Sequence, residues 1–297
     1  MPDSTIAEPL DRRLHAFRPD LADARLEGKV EAPKFVTGKP AQLNAPQAAV
    51  RKAADGDSEQ EAELLYGDRV LVFEEKAGWA WIQGQRDGYV GYVESKLLSD
   101  RLWDPTHRVA ALRTPLFAGP GLKTAIRAHL HMESAVRVEG QQDKYVETRD
   151  GWIYAPHLTA FDQTEPDYVA TALKFLGAPY VWGGRSSLGL DCSGLVQIAL
   201  QRAGLPCPRD SDMQTKSDLL GEQLVVTSAP ERGDLIYWKG HVAIALNATE
   251  VVNATASGMA VIVEPLAAIN ARAVAESGQG IIAIRRPAVS ARLSRAS

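Results

Sequence analysis

Cysteine is scarce in this sequence, with only Cys192 and Cys207 among 297 residues. Two cysteines in so long a chain argue against the disulfide framework that stabilises small secreted domains. The chain also lacks an apolar run long enough to span a bilayer. It lacks a block of Lys and Arg that would attract nucleic acid or an anionic membrane. These absences predict a globular protein with no nucleic-acid or membrane partner.

Residues 1–9 have neither the positive start nor the apolar core of a signal peptide. We therefore expect a cytoplasmic location. The net charge is only −4, and 45% of the residues are hydrophobic, an ordinary share that supports a sizeable core. The length fits two or three domains.

A glycine-rich loop at residues 180–184, with the sequence Tyr-Val-Trp-Gly-Gly, shortly precedes Cys192. The apolar spacing after Cys192 and the glycine at position 204 predict a helix over residues 192–203. A thiol at a helix N-terminus lies near unpaired amides and the positive end of the helix dipole, and both favour the nucleophilic thiolate. This pattern is typical of a cysteine hydrolase, although most free cysteines are small buried packing residues.

A cysteine nucleophile needs a base, and His241 is the histidine that fits. It opens the second of two apolar stretches separated by a Lys-Gly turn, which predicts a strand beginning at this His. Asn253 lies in the next predicted strand, among apolar neighbours. It could hold the second imidazole nitrogen, which gives a Cys-His-Asn arrangement of the papain-like kind.

Residues 165–287 resemble the catalytic domain of NlpC-type cysteine peptidases, which cleave bacterial cell-wall peptides. The matching segments are residues 179–184, 191–195, 233–235 and 241–244. The resemblance implies an α+β fold with a papain-like catalytic domain. The third catalytic position of that family lies 12 residues beyond the His and is often His itself; in this sequence it is Asn253.

The resemblance also assigns roles to neighbouring residues. Tyr180 is expected to donate its hydroxyl to the oxyanion, and packing beneath the glycine loop is an equally open role for this ring. The implied substrate-binding residues are Trp182, Asp191, Arg209, Asp210 and Ser211. Asp191 and Asp210 are also candidates for helix N-caps. Cys207 matches no catalytic position and is expected to be structural.

Short apolar stretches separated by glycine turns predict two small β-barrels upstream. The sequence Asp-Gly-Tyr-Val at 87–90 is paralleled by Asp-Gly-Trp-Ile at 150–153, which indicates an internal repeat. The first copy resembles the bacterial SH3-like modules that precede many of these peptidases. The predicted divisions are an arm at 1–40, barrels at 41–100 and 104–160, the peptidase domain at 161–290 and a tail at 291–297. The arm is expected to hold one strand, at residues 34–36.

The first barrel has two expected roles. In many relatives such modules resemble wall-binding domains, whereas in the cytoplasmic members of the family the first barrel caps one end of the substrate groove. An aromatic residue from its closing strand, with nearby acidic groups, would then recognise a free peptide amine. Tyr89 and Tyr92 both fit, with a slight preference for Tyr92. The acidic partner is left open among Asp57, Glu61 and Glu63.

The resemblance therefore implies hydrolysis of the γ-D-glutamyl–diamino acid bond in murein stem peptides that carry a free N-terminal L-Ala. Asp191 would bind the peptide ammonium, and Arg209 with Ser211 would hold the D-Glu carboxylate. No metal or cofactor is required, and His129 and His131 are expected on a strand surface. Cleavage of intact peptidoglycan and non-catalytic peptidoglycan binding are the alternatives, while an acyltransferase is disfavoured. The preferred diamino acid and the oligomeric state are left open.

Overall fold

The computed structural model describes residues 10–288. The first nine residues of the predicted arm and the predicted tail lie outside this range. The arm contains a parallel pair of short strands, β1 (Ala22–Asp23) and β2 (Phe35–Val36), with a 3-10 helix at Ala24–Leu26 between them. The strand predicted at residues 34–36 is confirmed by β2.

The first β module (residues 39–99) is a seven-stranded antiparallel sheet with the order β5-β4-β8-β7-β6-β3-β9. Its strands are β3 (Lys39–Leu43), β4 (Gln47–Arg51), β5 (Gln60–Leu65), β6 (Arg69–Lys76), β7 (Trp79–Gly84), β8 (Val90–Glu94) and β9 (Leu98–Ser99), with a 3-10 helix at Ser95–Leu97. Alternate residues point inward, as in β4, where Ala48 and Val50 are buried between half-buried neighbours. These side chains join Leu43, Val70 and Ile82 in the core of the module.

The second β module (residues 107–160) consists of two smaller antiparallel sheets, β13-β10-β17 and β12-β11-β16-β15-β14. Its elements are β10 (His107–Val109), β11 (Arg113–Phe117), β12 (Ile126–His131), β13 (Ala135–Val136), β14 (Val138–Gln142), β15 (Tyr145–Thr148), β16 (Gly151–Tyr154), a 3-10 helix (Ala155–His157) and β17 (Leu158–Ala160). His129 is exposed on β12, as predicted. The surface position predicted for His131 is wrong, because the end of β12 packs against the next module and His131 is buried, with Nδ1 3.0 Å from Ser187 Oγ.

The helix–sheet module (residues 168–286) carries the segments that resemble a peptidase. Its elements are α1 (Tyr168–Leu173), β18 (Arg185–Ser186), β19 (Gly189–Leu190), α2 (Cys192–Arg202), α3 (Ser211–Lys216), a 3-10 helix (Asp218–Leu220), β20 (Glu222–Leu224), β21 (Leu235–Trp238), β22 (His241–Ala245), β23 (Glu250–Thr255), β24 (Ala260–Pro265), α4 (Leu266–Ser277) and β25 (Ala283–Arg286). Six strands form one antiparallel sheet in the order β20-β25-β21-β22-β23-β24. The expected α+β fold is confirmed.

Helix α2 is the central helix of this module, and it lies on strands β22 and β23. Every residue from Cys192 to Arg202 is buried, which explains why the sequence is apolar around most of the helix rather than along one stripe. Leu195, Ile198 and Leu200 share one core with Val242 and Val252 of the sheet. This packing fixes the start of α2 close to the start of β22, where His241 lies.

Buried charges join the modules. Asp68 of the first β module accepts hydrogen bonds from Arg86 at 2.6 Å and from Arg185 of the helix–sheet module at 3.2 Å. Burial alone would raise the pKa of Asp68, but the two guanidinium groups hold it below its usual value. Removing one partner of such a buried pair leaves an uncompensated charge, so these contacts define how the modules dock. No helix within residues 10–288 is long and apolar enough to cross a membrane.

Candidate active site

Cys192 is the first residue of α2, and the Asp191 side chain caps the helix by accepting a 2.7 Å hydrogen bond from the Gly194 amide. Cys192 is buried, with 6% of the residue exposed. The backbone amides of Ser193 and Val242 are directed at its sulfur. Val242 directly follows His241, so the nucleophile touches the same stretch of backbone that carries the candidate base.

Burial governs the ionisation of the thiol. It raises the pKa of Cys192 to about 12, and the Asp191 carboxylate adds to the rise, while the two amides and Arg209 oppose it. The helix N-terminus therefore does not by itself produce a thiolate. Ionisation requires a cationic partner, which an imidazolium at His241 would supply.

His241 is held by Asn253, as the sequence predicts. Its Nε2 lies 3.0 Å from Asn253 Oδ1, on the neighbouring strand β23. Burial lowers the pKa of His241, and the bond to Asn253 and the Glu264 carboxylate act in the opposite direction. Within residues 10–288 no hydrogen bond joins Cys192 and His241; such bonds are often long in unliganded enzymes and shorten when substrate binds.

Two glycines allow the loop before α2 to pass close to its neighbours. Gly183 has a φ of +74°, and a Cβ at this position would lie 2.8 Å from the Gln60 carbonyl oxygen of the first β module. A Cβ at Gly194 would lie 2.2 Å from the carbonyl oxygen of Gly184. The Trp-Gly-Gly and Cys-Ser-Gly motifs are therefore explained by close backbone contacts around the nucleophile.

The structure gives Asp191 and Arg209 a different arrangement from the predicted one. Five donors already occupy the Asp191 carboxylate: the amides of Gly183 and Gly194, the Ser193 hydroxyl and two Arg209 nitrogens. Arg209 is 1% exposed, and its terminal nitrogens bind Asp191, Ser193 and the Gly184 carbonyl. Most polar atoms of the two side chains are engaged in these contacts, and the direct substrate contacts that the sequence suggested for them stay predictions.

Tyr180 lies beside the nucleophile and lines a cavity with Trp182 and His241. Burial raises the pKa of its hydroxyl, and the charges of Cys192 and Asp191 add to this. The hydroxyl is therefore a protonated donor at neutral pH, as an oxyanion contact must be. Trp182 is 64% exposed and lines the cavities on both sides of the site.

A cavity of about 340 Å³ extends from Cys192 toward the first β module; we call it the amine-side cavity. Its far end is lined by Glu61 of β5, Tyr89 before β8, and Asp210 and Ser211 at the start of α3. Tyr89 donates a 3.2 Å hydrogen bond to Asp210 Oδ2. The predicted substrate residues Asp210, Ser211, Tyr89 and Trp182 thus lie around one cavity.

The carboxylates of Glu61 and Asp210 at the end of the amine-side cavity are only partly neutralised by nearby cations. Among the described residues, the Glu61 side chain makes no hydrogen bond or ion pair, and Asp210 Oδ1 accepts no side-chain bond. Burial raises the pKa of Asp210, and burial and repulsion from Asp210 raise that of Glu61. Raised carboxylate pKa values at the end of a cavity indicate a site that favours a cationic ligand.

The preference for Tyr92 as the cavity aromatic is wrong. The Tyr92 hydroxyl accepts a 3.0 Å hydrogen bond from Arg18 and packs with Phe73 and Trp81, outside the cavity. Of the three acidic candidates, only Glu61 lines the cavity. Glu63 is buried and accepts a 2.9 Å bond from the Arg185 amide, while Asp57 is exposed in a turn.

Sequence reasoning missed Arg13, which the arm inserts at the edge of the amine-side cavity. Its guanidinium donates to Asp210 at 2.8 Å, to Asp212 at 2.8 Å and to Asp11 at 2.7 Å. Nothing local distinguishes this residue from Arg12, because the contact depends on residues almost 200 positions away. Cys207, by contrast, is buried with its thiol 3.4 Å from the Pro208 carbonyl, in keeping with the structural role predicted for it.

A second cavity of about 300 Å³ opens on the other side of His241; we call it the leaving-group cavity. It is lined by Tyr180, Trp182, Trp238 and Ser257, and its charged groups are Lys239, Arg272 and Glu276. The candidate nucleophile and base thus lie between two cavities. No group of three or more His, Cys, Asp or Glu side chains in the described part of the chain is arranged to hold a metal ion.

Residues 177–273 match the NlpC/P60 family, and this segment includes Cys192, His241 and Asn253. The protein contains an NlpC/P60 peptidase domain. Residues 50–98 match the bacterial dipeptidyl-peptidase SH3 domain, which agrees with the barrel predicted before it.

Dipeptidyl-peptidases are among the curated proteins to which this chain is similar. The gamma-D-glutamyl-L-lysine dipeptidyl-peptidase of Bacillus cereus is 26% identical over 202 residues, which cover 60% of this chain and 60% of that protein. Dipeptidyl-peptidase 6 of Lysinibacillus sphaericus is 33% identical over 121 residues, covering 40% of this chain and 44% of that one. The aligned region thus spans less than two thirds of either relative.

The three-module architecture has a solved counterpart. An NlpC/P60 family protein from Bacillus cereus superposes with a TM-score of 0.69 over 84% of this chain and 99% of the other, at 19% identity. An NlpC/P60 endopeptidase from Photobacterium damselae gives 0.56 over 86% of this chain and 74% of the other, at 14% identity. These similarities establish the fold shared with the NlpC/P60 domain and the modules before it.

Proposed function

We propose that this protein is a cysteine peptidase that hydrolyses the γ-D-glutamyl–diamino acid bond of murein peptides with a free N-terminal L-Ala. The observation that carries the proposal is the amine-side cavity, which runs from Cys192 to Glu61 and Asp210. The Glu61 side chain has no ion-pair partner among the described residues, and Arg13 and Tyr89 contact Asp210 through Oδ2, which leaves Oδ1 available. The names of the curated relatives support the same reaction. The recycling of wall peptides in the cytoplasm is part of this proposal.

The groups at the closed end of the cavity favour the binding of a peptide with a free amino terminus. An ammonium between Glu61 and Asp210 would remove their mutual repulsion, and the Tyr89 hydroxyl could accept a third hydrogen bond. An N-acylated peptide has no charge to offer, so it would leave Glu61 desolvated and unpaired and Asp210 with Arg13 as its cationic partner. The first β module would thereby select short peptides over glycan-attached stems.

The reaction follows from the groups around Cys192. The thiol proton passes to His241 Nδ1, and the thiolate attacks the γ-carbonyl carbon of D-Glu while Tyr180 donates to the oxyanion. The His241 imidazolium then protonates the leaving amine, the C–N bond breaks and a thioester remains. His241 next takes a proton from water, and the resulting attack releases L-Ala-D-Glu and restores the thiol.

The leaving-group cavity would receive the diamino acid. Because Arg272 is held by Glu264, the charged groups of this cavity without an ion pair in the described part of the chain are one cation, Lys239, and one anion, Glu276. A diamino acid whose far end carries both an ammonium and a carboxylate matches both signs of charge, whereas lysine supplies only the ammonium. We therefore place meso-diaminopimelate ahead of lysine as the preferred leaving group.

Incubation with L-Ala-γ-D-Glu-meso-diaminopimelate and with its N-acetylated form, followed by mass spectrometry, tests the proposal. We expect cleavage of the free tripeptide only, and no cleavage by Cys192→Ala. Glu61→Gln should raise KM for the free tripeptide, whereas Asp57→Asn, the exposed control on the same module, should not.

Equal cleavage of both peptides would contradict the amine-recognition step and favour an enzyme that acts on intact wall. Failure to cleave either peptide, with Cys192 still reactive toward a thiol reagent, would contradict the substrate assignment.

A further inference from the structure

The third residue of the candidate triad, Asn253, is neutral, and its amide could face His241 in either of two orientations. An Asn amide can present either its oxygen or its nitrogen to a neighbouring imidazole. If Nδ2 of Asn253 faced His241, then Nε2 would have to accept and the ring proton would sit on Nδ1. That tautomer has no free lone pair on Nδ1 with which to take the proton of Cys192. Catalysis therefore needs a feature that holds the Asn253 oxygen toward the ring.

Glu264 supplies that feature. Asn253 Nδ2 donates to Glu264 Oε1 at 3.1 Å, and Arg272 Nη2 donates to Glu264 Oε2 at 2.7 Å. An ionised carboxylate can only accept, so the Asn253 group that faces it must be the NH₂. The amide oxygen then faces His241, where the distance to Nε2 is 3.0 Å. Nε2 must carry the proton, and Nδ1 is left free to act as the base.

The sheet register places these side chains together. Asn253 of β23 is paired with Ile262 of β24, and Glu264 lies two residues further along the same face of that strand. Diagonal neighbours of this kind are within reach of long side chains. Arg272 lies on α4, which packs against β24 and anchors the outer oxygen of Glu264.

We propose that Glu264, anchored by Arg272, is a positioning residue that fixes the amide of Asn253 and thereby the tautomer and charge of His241. The proposal rests on the proposed peptidase activity only in naming His241 as the base. Glu264 places a charged group behind the neutral Asn253. A relay of hydrogen bonds then runs from His241 through Asn253 to the Glu264 carboxylate.

Several charged groups face His241 besides Glu264. Cys192 approaches from α2, Arg272 and Glu276 from α4, and Lys239 from the preceding turn. Glu264 favours the imidazolium and Arg272 disfavours it. Substitutions of these two residues should therefore shift the pKa of His241 in opposite directions. A purely structural role for the pair would not produce such opposite shifts.

The test compares Glu264→Gln and Arg272→Gln with Glu250→Gln. Glu250 is an exposed glutamate at the start of β23 whose side chain accepts a hydrogen bond from Asn247, so its substitution is the matched loss of one negative charge. Two readouts are followed against pH: kcat/KM on the tripeptide, and alkylation of Cys192 by iodoacetamide in a Cys207→Ser background. Alkylation needs no peptide substrate, so it reports on the relay even if the proposed substrate is wrong.

We expect Glu264→Gln to lower kcat/KM about tenfold, a part of the roughly 10²–10⁴-fold that general acid–base groups contribute. The alkaline limb of its profile of kcat/KM against pH should move to lower pH by about 0.5 unit. This is less than the 1–3 units that a charge in direct contact produces. Arg272→Gln should move the same limb up. Glu250→Gln should leave both readouts unchanged.

A double-mutant cycle with Asn253→Ala tests the route of the effect. If Glu264 acts through Asn253, most of the loss in kcat/KM caused by Glu264→Gln should disappear once the amide is removed, and only the shift of the alkaline limb produced by its charge should remain. An undiminished loss in that background would overturn the proposal. So would alkaline limbs that move in the same direction in the Glu264 and Arg272 variants.

Discussion

At the scale of single residues, Cys192 shows two local effects in opposition. The N-terminus of α2 favours an anion by about 0.3–1 kcal/mol. Burial and the Asp191 carboxylate act against it and leave the thiol pKa at about 12. The second effect is larger, so the reactive thiolate depends on proton transfer to His241 rather than on the helix alone.

This balance predicts the behaviour of His241→Ala. A raised thiol pKa means that the proton stays on sulfur until the pH approaches that value, so the variant should have almost no thiolate at pH 7. Its alkylation by iodoacetamide should become fast only as the pH rises toward about 12. The wild-type pair should react near neutral pH, because the imidazolium stabilises the thiolate. The pH profile of alkylation, measured in a Cys207→Ser background, checks this.

Equal rates of alkylation for His241→Ala and wild type at pH 7 would contradict the argument. They would mean that the amides of Ser193 and Val242 suffice to ionise the thiol.

At the scale of secondary-structure elements, the Asp191–Arg209 pair fastens the start of α2 to the segment that precedes α3. Both side chains are buried, and the guanidinium donates to the two carboxylate oxygens at 2.6 and 2.9 Å. Breaking a buried pair from one side costs about 3–5 kcal/mol, because the remaining charge is left without a partner. The same pair positions Cys192, since Asp191 caps its helix.

We therefore expect Arg209→Met to lower the free energy of unfolding by about 3–5 kcal/mol. The double variant Asp191→Asn/Arg209→Met should recover part of this loss, because Asn can still cap α2 without burying a charge. Urea denaturation followed by circular dichroism measures both. The control is Arg232→Met, whose pair with Asp167 is about one third exposed and should be worth at most about 1 kcal/mol.

Equal free energies of unfolding for Arg209→Met and Arg232→Met would contradict the stabilisation expected from the buried Asp191–Arg209 pair.

Local elements were predictable from the sequence because their signals are local. The helix predicted at 192–203 is observed at Cys192–Arg202, and the turn before His241 is followed by β22 as predicted. Tyr89 and Tyr92 were not separable, because the alternation rule assumes that both lie in the strand. The strand begins at Val90, so Tyr89 belongs to the preceding turn and is free to face the cavity.

Long-range partners could not be predicted, for a physical reason. Glu264 reaches Asn253 only through the register of β23 with β24, and a shift of one residue would turn it to the other face of the sheet. The contacts of Arg209 with Asp191 are likewise set by the approach of two segments rather than by a motif. The sequence predicts candidates for the chemically active residues, whereas their supporting partners depend on the packing of the modules.

At the scale of the whole molecule, the amine-side cavity depends on three parts of the chain. Glu61 and Tyr89 come from the first β module, Asp210 and Asp212 from the NlpC/P60 domain, and Arg13 from the arm. Arg13 bonds to both Asp210 and Asp212. Arg13 therefore makes the arm an electrostatic component of the site, and its charge affects the pKa values of the carboxylates in the cavity.

Arg13→Gln should weaken the binding of a free amine at mildly acidic pH. Arg13 holds down the pKa values of Asp210 and Glu61, which burial raises. Without it, both carboxylates take up protons at a higher pH and lose their attraction for an ammonium. KM for the free tripeptide should thus rise as the pH falls from 8 to 5.5, by at most about tenfold for a shift of one pKa unit. Arg12→Gln is the matched control, because Arg12 lies over Phe17 instead. A lower KM for Arg13→Gln at every pH would instead mean that Arg13 competes with the substrate amine for Asp210.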